Sequence, residues 1–516
     1  MKHIVRVLLA SVICFASYFS GTSQQKTNNT VVSEQSSGKE LSIRYCAMCH
    51  KYTEPGLLDK ATWANSVLPN MALRLGLQMA GKDNYIVSDS IEADILKKLN
   101  TFPDTPLISE KDWAAIVEYF VENAPEKLET YAKRPKKSKI DFPFETQSVT
   151  IDGSKLPQVT LLEYDEYNSE LYIGDHLKLY ALKNTGVLSG EWKLGSYASD
   201  IEFDPKSDPT LLTIGKLVPS NQKLGELGSL SKNSDFFKGS PSFSTLRRPV
   251  NFLSADLNLD GNDDLIICNF GHTVGKLSWF DGKDATKEHI LSTLPGTRKV
   301  EVNDFDKDGL PDIIAMSTQA YEGITIYYNQ GKNVFKPIRV LEFTPVHGLS
   351  YFELADFNSD GHQDILVTNG DNRDFSPIDK PYHGVRVYMN NTKNQFEETF
   401  FYPMYDCNKA MARDFDNDGD LDIIASALFV DYKGESNIKD AVVYLNNTGK
   451  HDFYPILMPN PIHGNWLTME AGDFNKDGLV DVMLGTFMYD INEMIRIGSA
   501  TGIINFPQVL LLTNKN

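Results

Sequence analysis

The sequence predicts a multidomain chain: a small all-α domain followed by an all-β, seven-bladed β-propeller. Three observations carry this expectation. A nine-residue phrase, Asp-x-Asp/Asn-x-Asp-Gly-x-x-Asp followed at once by an apolar run, occurs five times, starting at Asp256, Asp304, Asp356, Asp414 and Asp473. The copies stand 48, 52, 58 and 59 residues apart, a period that suits a four-stranded blade and not a helical repeat. Ahead of the array, residues 39–130 space their apolar positions as helices do.

The chain has 516 residues, 41% of them hydrophobic, enough for two or more full cores. A net charge of -19 argues against nucleic acid as a partner. Lys2 and Arg6 precede an apolar stretch from Val7 to Phe19, so residues 1–23 read as a signal peptide, with cleavage near Gly21 to Ser23. Ile13 stands before Cys14 where a lipoprotein signal needs a small residue, which argues against a lipid anchor. No later apolar run is long enough to span a bilayer. A secreted or periplasmic location is expected. Residues 24–38 are polar, without periodicity, and read as a tether.

Within 39–130, Leu41 and Tyr45 share a helical face, and Ser109 is placed to cap a last helix carrying Trp113, Ile116, Val117 and Phe120. Between them lies Cys46-Ala-Met-Cys49-His50. Two thiols three residues apart can form thioethers to haem vinyl groups, and the adjacent His50 can supply the proximal nitrogen. The plainer alternatives are a Cys46–Cys49 disulfide or half of a zinc site. Met71, just after Pro69, is the first choice for sixth ligand, with Met79 as the alternative. Residues 131–141, with Lys133 to Lys139, form a basic linker.

Residues 142–516 read as strands. Each strong repeat gives an apolar strand, the Asp loop, a second apolar strand, a third such as Gly384 to Asn390 or Ala441 to Asn446, and a fourth from about Phe396 or Phe453. Two weaker copies, one from Asp200 to Asp208 and one around Glu163, bring the count to seven. The last stretch, Val509 to Asn514, matches a third strand without its fourth. The stretch from Phe142 to Ile151 is expected to supply it and close the ring, leaving no open sheet edge. Cys268 and Cys407 fall in different blades, so no disulfide is expected between them.

Oxygen side chains at positions 1, 3, 5 and 9, with Gly at 6 for the turn, make a loop for a hard cation such as Ca²⁺. Carboxylates so close together repel unless a cation neutralises them. An EF-hand is excluded, because strands flank the loops and no Glu stands at position 12. The five loops and their following strands resemble FG-GAP (VCBS) repeats, as in the calcium-bearing propeller of integrin α-subunits, over residues 158–516. The resemblance implies about five Ca²⁺ ions. Its ligands would be Asp256, Asn258, Asp260, the carbonyl of Asn262 and Asp264; Asp304, Asp306, Asp308 and Asp312; Asp356, Asn358, Asp360 and Asp364; Asp414, Asp416, Asp418 and Asp422; and Asp473, Asn475, Asp477 and Asp481. The Cys46 to His50 segment resembles class I c-type cytochromes over 39–130, which implies one covalent haem c. The combination resembles secreted bacterial proteins that join a cytochrome to such a propeller.

Strand order puts the segments entering each first strand on the face opposite the Asp loops. Arg248, Arg298, His347, Lys409 and His463 lie in these segments and would present positive charge at the propeller mouth to an anionic or carbohydrate ligand. The long connections between second and third strands lie on the same face, where binding loops are commonly built. The expected function is haem c electron transfer to a redox partner, with the propeller as a calcium-stabilised platform for a ligand or partner. Two alternatives stay open: an oxidoreductase with the haem as electron acceptor, and an adhesion or carbohydrate-binding protein. No catalytic residue is expected from the sequence.

Overall fold

The structure is a computed structural model that describes residues 36–77, 89–129, 141–151, 156–371, 376–428, 441–458, 464–503 and 505–515. The expected signal peptide, the linker residues 131–140, Met79 and His463 lie outside the described residues, as does all but the end of the expected tether.

Among the described residues, seven four-stranded antiparallel sheets account for the named strands. Six are built from consecutive strands and span residues 159–193, 198–247, 249–292, 297–342, 349–403 and 407–457. The seventh takes three strands from 466–514, and its outer strand is Phe144–Val149, the first strand in the chain. That strand pairs antiparallel with Val509–Asn514, Phe144 opposite Asn514 and Val149 opposite Val509. The ring is thus closed by joining the two ends of the β region, as expected. The first strand of every blade touches the first strands of both neighbouring blades, so seven first strands form the inner ring.

Second strands are the apolar runs that follow the Asp loops. Asp364–Asn369 and Asp422–Ala427 are buried at every position, because a second strand has a neighbouring blade on each face. Ile313, Ile365, Leu366, Ile423 and Ile424 are all at 0% exposure. Full burial of such a side chain contributes roughly 1.5–3 kcal/mol. β-branched residues also suit the pleated surface. In the sixth blade Ala425 and Ala427 take these positions, in one cluster with Phe415, Tyr444 and Phe453.

The helical segment contains α1 (Gly38–Cys46), a short turn α2 (Lys60–Thr62) that widens into π geometry over Trp63–Val67, α3 (Leu68–Arg74), α4 (Ser90–Lys98) and α5 (Glu110–Asn123). Ser109 caps α5 as expected, its hydroxyl accepting from the Asp112 N–H at 3.1 Å. Leu41, Leu58, Trp63, Leu68, Ile116 and Phe120 form one small core. Trp63 donates its ring N–H to the Pro55 carbonyl at 2.8 Å and packs on Phe120 with centroids 4.5 Å apart. Gly38 lies so close to the Ala115 carbonyl and the Tyr119 Cβ that any larger residue would collide with the α5 backbone. The first and last helices therefore cross in contact. Among the described residues no helix is long and apolar enough to cross a membrane.

Candidate functional site

The five Asp loops share one local structure. The residue at position 4 is left-handed in each: Leu259, Lys307, Ser359, Asn417 and Lys476 have φ between 56° and 64°. Gly follows at position 6 with φ between 79° and 94°. Only this succession folds the chain back within nine residues, and at position 6 Gly adopts it without steric cost. The carboxylate at position 1 accepts the N–H groups of positions 5 and 6, as Asp304 does from Asp308 at 3.1 Å and Gly309 at 2.9 Å. Position 5 accepts from position 7. The effect is to turn carboxylates inward. One oxygen each from Asp304, Asp306 and Asp312 lies within 4.8 Å of the others, and the same holds for Asp414, Asp416 and Asp418. In the third blade, Asn258 Oδ1 is buried without a hydrogen-bond partner, and Asp260 sits 2.9 Å from Lys283 Nζ. A buried oxygen without a donor, beside carboxylates gathered by the loop N–H groups, is a donor set that suits a hard cation.

The position 9 aspartates have a second task that the sequence did not reveal. Asp312 accepts from Phe305 N–H at 3.0 Å and from Asn329 N–H at 2.7 Å. Asp264 and Asp364 repeat this pattern with Leu257 and Gly282, and with Phe357 and Asn390. Each ties its own loop to the end of its own third strand. Burial pushes the carboxyls of Asp312 and Asp422 up to about 6. A latch between blades stands beside this clamp. The carbonyl at loop position 2 accepts a side-chain donor from the following blade: Leu257 from Asn329 at 2.7 Å, Phe305 from Asn394 at 2.7 Å, and Phe415 from Asn514 at 2.7 Å. Asn329 and Asn514 end third strands, whereas Asn394 comes from the turn after one.

The weaker copies form the first two blades, but with one correction. Asp200 is not a loop residue; it lies in the inner strand Ala198–Glu202. With Glu163, Lys299, Tyr351, Glu353, Lys409, Arg413 and Glu470, also on first strands, it belongs to a charged network along the inner ring. Lys299 Nζ donates to Glu301 at 2.6 Å and to the Tyr351 hydroxyl at 3.2 Å, Arg413 pairs with Glu353, and Asn251 donates to Asp200 at 2.7 Å. Burial, followed by the nearby Glu163 carboxylate, holds Asp200 and Glu470 well above the ordinary carboxylate range. Alternation along the first strands placed these charges on one face, but only ring closure brought them together.

The helical segment is tied to the face opposite the Asp loops. Lys51 Nζ donates to the Glu342 carbonyl at 3.0 Å, Tyr382 to the Leu57 carbonyl at 2.8 Å, and Tyr321 to the Met48 carbonyl at 3.4 Å. Asp89 pairs with Lys216 at 2.6 Å, and buried Glu92 accepts the Asn221 N–H at 2.8 Å. Val346 and Ile378 of the fifth blade pack against the helical core. The Cys46 to His50 segment ends α1 and turns over this contact. Cys46 is half-buried and Cys49 exposed, and both are free thiols, so the disulfide alternative is not formed in this structure. Burial and the neighbouring Cys49 push the Cys46 thiol up to about 11. His50 Nδ1 lies 2.9 Å from the Lys51 carbonyl. A carbonyl can only accept, so Nδ1 carries a proton, and in the neutral ring Nε2 is the nitrogen with the lone pair. Met71 is half-buried on α3. Cys268 and Cys407 are buried free thiols in separate blades, as expected.

The mouth cations do not gather into one open site. Arg248 donates to the carbonyls of Gly271 and Leu217, Arg298 pairs with Asp371 at 3.0 Å, and His347 Nδ1 is 2.9 Å from the Thr344 hydroxyl. Arg298 and Lys409 lie inside first strands, not ahead of them, and Lys409 donates inward to the Met469 carbonyl at 2.7 Å. His347 is the informative one. Burial first, then Arg386, holds its imidazole down at about 4. It packs on Tyr382, whose hydroxyl holds the helical segment. His383 is completely buried and is also held well below its ordinary value, chiefly by burial. A histidine depressed in the folded state contributes stability that is present above about pH 6.5 and lost as pH falls from there through about 4. The shift at His347 corresponds to on the order of 3 kcal/mol. Acidification from pH 7 to 4 should therefore expose the helical segment to protease, and His347→Gln should reduce that pH dependence. Identical digestion profiles for the two proteins across this range would refute the assignment.

The FG-GAP-like repeat family matches residues 256–315, 304–367 and 414–484, and all five Asp loops lie within these spans. No curated protein matches the chain. Among solved structures, a chain of the Saccharomyces cerevisiae Dbp5 complex with Nup159 and Gle1 matches at 11% identity and TM-score 0.41, over 73% of this chain and 96% of its own. The Neurospora crassa Pan2 WD40 domain matches at 10% and 0.39, over 69% of this chain and 88% of its own. The extracellular domain of a one-component system protein from B. thetaiotaomicron matches at 12% and 0.42, over 72% of this chain and 40% of its own. Likeness at such scores is loose, and the blade count rests on the strand pairing of this chain and on its repeats. The chain is a seven-bladed β-propeller carrying FG-GAP-like repeats.

Proposed function

We propose that the chain is a secreted or periplasmic haem c electron-transfer protein, with its propeller as a calcium-stiffened platform for a ligand or partner. The observation that carries the haem reading is the Cys46 to His50 turn. Its thiols are free, and the His50 Nδ1–H is donated to the Lys51 carbonyl, which leaves Nε2 as the ring nitrogen available to a metal in the neutral form. Cys46 and Cys49 would attach the group and His50 would ligate it, with Met71 on the neighbouring helix as the proposed sixth ligand. Residues 39–130 would then be the cytochrome domain. When bound, haem c supplies a one-electron carrier. The contacts of Lys51, Tyr321 and Tyr382 hold this turn against the propeller, so whatever the propeller binds would lie within one rigid assembly with it. The calcium reading is supported by the inward-turned acids, with ligands at loop positions 1, 3, 5 and 9 and the carbonyl of position 7. The mouth cations are not part of this proposal, because Arg248, Arg298, His347 and Lys409 are each engaged locally.

Covalent attachment tests the central point. Full-length protein made in cells with a haem-attachment system should keep a haem stain on a denaturing gel, and Cys49→Ser should abolish stable attachment. Both thiols remaining reactive toward an alkylating reagent, with no stain, would refute the haem reading; thiols blocked without a stain would return Cys46 and Cys49 to a disulfide or zinc role.

A further inference from the structure

On the loop face, between the fourth and fifth blades, lies an open groove of about 570 Å³. Phe305, Tyr328 and the exposed Ile338 line part of it, among mainly polar groups. Three lysines surround it, Lys307 on the fourth-blade loop, Lys336 on the outer strand Phe335–Glu342, and Lys393 on a turn of the fifth blade. All three are exposed, and among the described residues none forms an ion pair. Asp306 is the carboxylate on the groove wall. Three lysines and one carboxylate give this groove a positive lining beside two Asp loops. Three like charges without an ion-pair partner are placed for an anion.

The walls are stiff. Asn394 bridges the blades by donating to the Phe305 carbonyl at 2.7 Å. Lys307 Nζ stands 3.2 Å from His362 Nε2 and 3.4 Å from the Gly361 carbonyl, both of the fifth-blade loop. Thr392 has φ 67°, a left-handed conformation that a β-branched residue seldom adopts. Asn391 and Asn390 hold this tip by accepting the N–H groups of Lys393 and Asn394 at 3.0 and 2.9 Å. Backbone strain held by its surroundings is found where a side chain has to be positioned.

We propose that this groove binds an acidic oligosaccharide, with carboxylate or sulfate groups on the lysines and sugar faces on Tyr328 and Ile338. Its open form admits a chain running through it, and Gln330 and Thr392 offer hydrogen bonds for hydroxyls. An extended peptide added to the outer strand is disfavoured, because Pro337 and Lys336 interrupt and charge that edge. The site is separate from the helical segment and does not depend on haem.

The test uses full-length, calcium-loaded protein and calorimetric titration at low ionic strength. The probes are a sulfated hexasaccharide, a hexamer of uronic acid, a neutral glucose hexamer and a glutamate hexapeptide. At least one acidic sugar should bind, the neutral one should not, and binding should weaken at 0.15 M salt, where exposed charges are screened over about 8 Å. Lys336→Ala with Lys393→Ala should weaken binding about tenfold and leave the melting temperature unchanged, since both side chains are exposed. Which acidic sugar binds distinguishes the sulfate from the carboxylate form. No acidic sugar binding, equal binding by the double variant, or a tighter peptide would each overturn the proposal.

Discussion

Stripping calcium from the full-length protein with a chelator should lower its melting temperature by about 10 °C or more. At a hundredfold excess over Kd each site contributes about 2.7 kcal/mol to the folded state. A shift of 1 kcal/mol moves a domain of 150–250 residues by about 2–4 °C. Even partial additivity over five loops is therefore a large effect. The structure shows why it should spread beyond the loops. Asp312 holds its own third strand through Asn329, and Asn329 donates to the Leu257 carbonyl of the preceding loop. Repulsion among unneutralised acids would loosen both the blade and its neighbour. The third-blade loop should lose its ion first, because Lys283 Nζ lies 2.9 Å from Asp260 and competes with a cation there. Asp308→Ala should lower the calcium stoichiometry by about one. An unchanged melting curve, with no calcium found by elemental analysis, would sink the reading.

Phe120→Ala should melt the helical segment while the propeller stays folded. Phe120 is 2% exposed and meets Trp63 at 4.5 Å, Tyr119 at 5.7 Å and Tyr52 at 6.4 Å between ring centroids. Removing such a ring costs about 3–5 kcal/mol. That is comparable to the whole stability of a small domain. The helical segment has one small core and no alternative packing for α5. The expected result is loss of the helical circular dichroism signal and new protease cuts between residues 38 and 129, with the main thermal transition of the β region retained. Retention of the full helical signal would show that contacts to the propeller, such as Glu92 with Asn221, hold the segment without its own core.

The repeats made the blades legible, because each Asp loop is a local signal: its turn needs Gly at position 6, and its acids stand within nine residues. The same holds for the Ser109 cap and for ring closure by the strand Phe144–Val149, which the unpaired third strand at Val509–Asn514 demanded. The degenerate copies misled for a related reason. Asp200 looks like a loop acid in the sequence, but it alternates with inward positions of a first strand, and only the strand's place in the ring decides which. The same holds for Arg298 and Lys409, which sequence places on a binding face: Lys409 turns to the inner ring and Arg298 to Asp371. The seven blades, the tight Asp loops and the Cys46 to His50 turn are set by residues close together in the chain. Tertiary structure alone decided the charged inner ring, the seat of the helical segment on the propeller and the groove between the fourth and fifth blades. These join residues from separate blades, and their partners are chosen by packing across distances that no local pattern encodes.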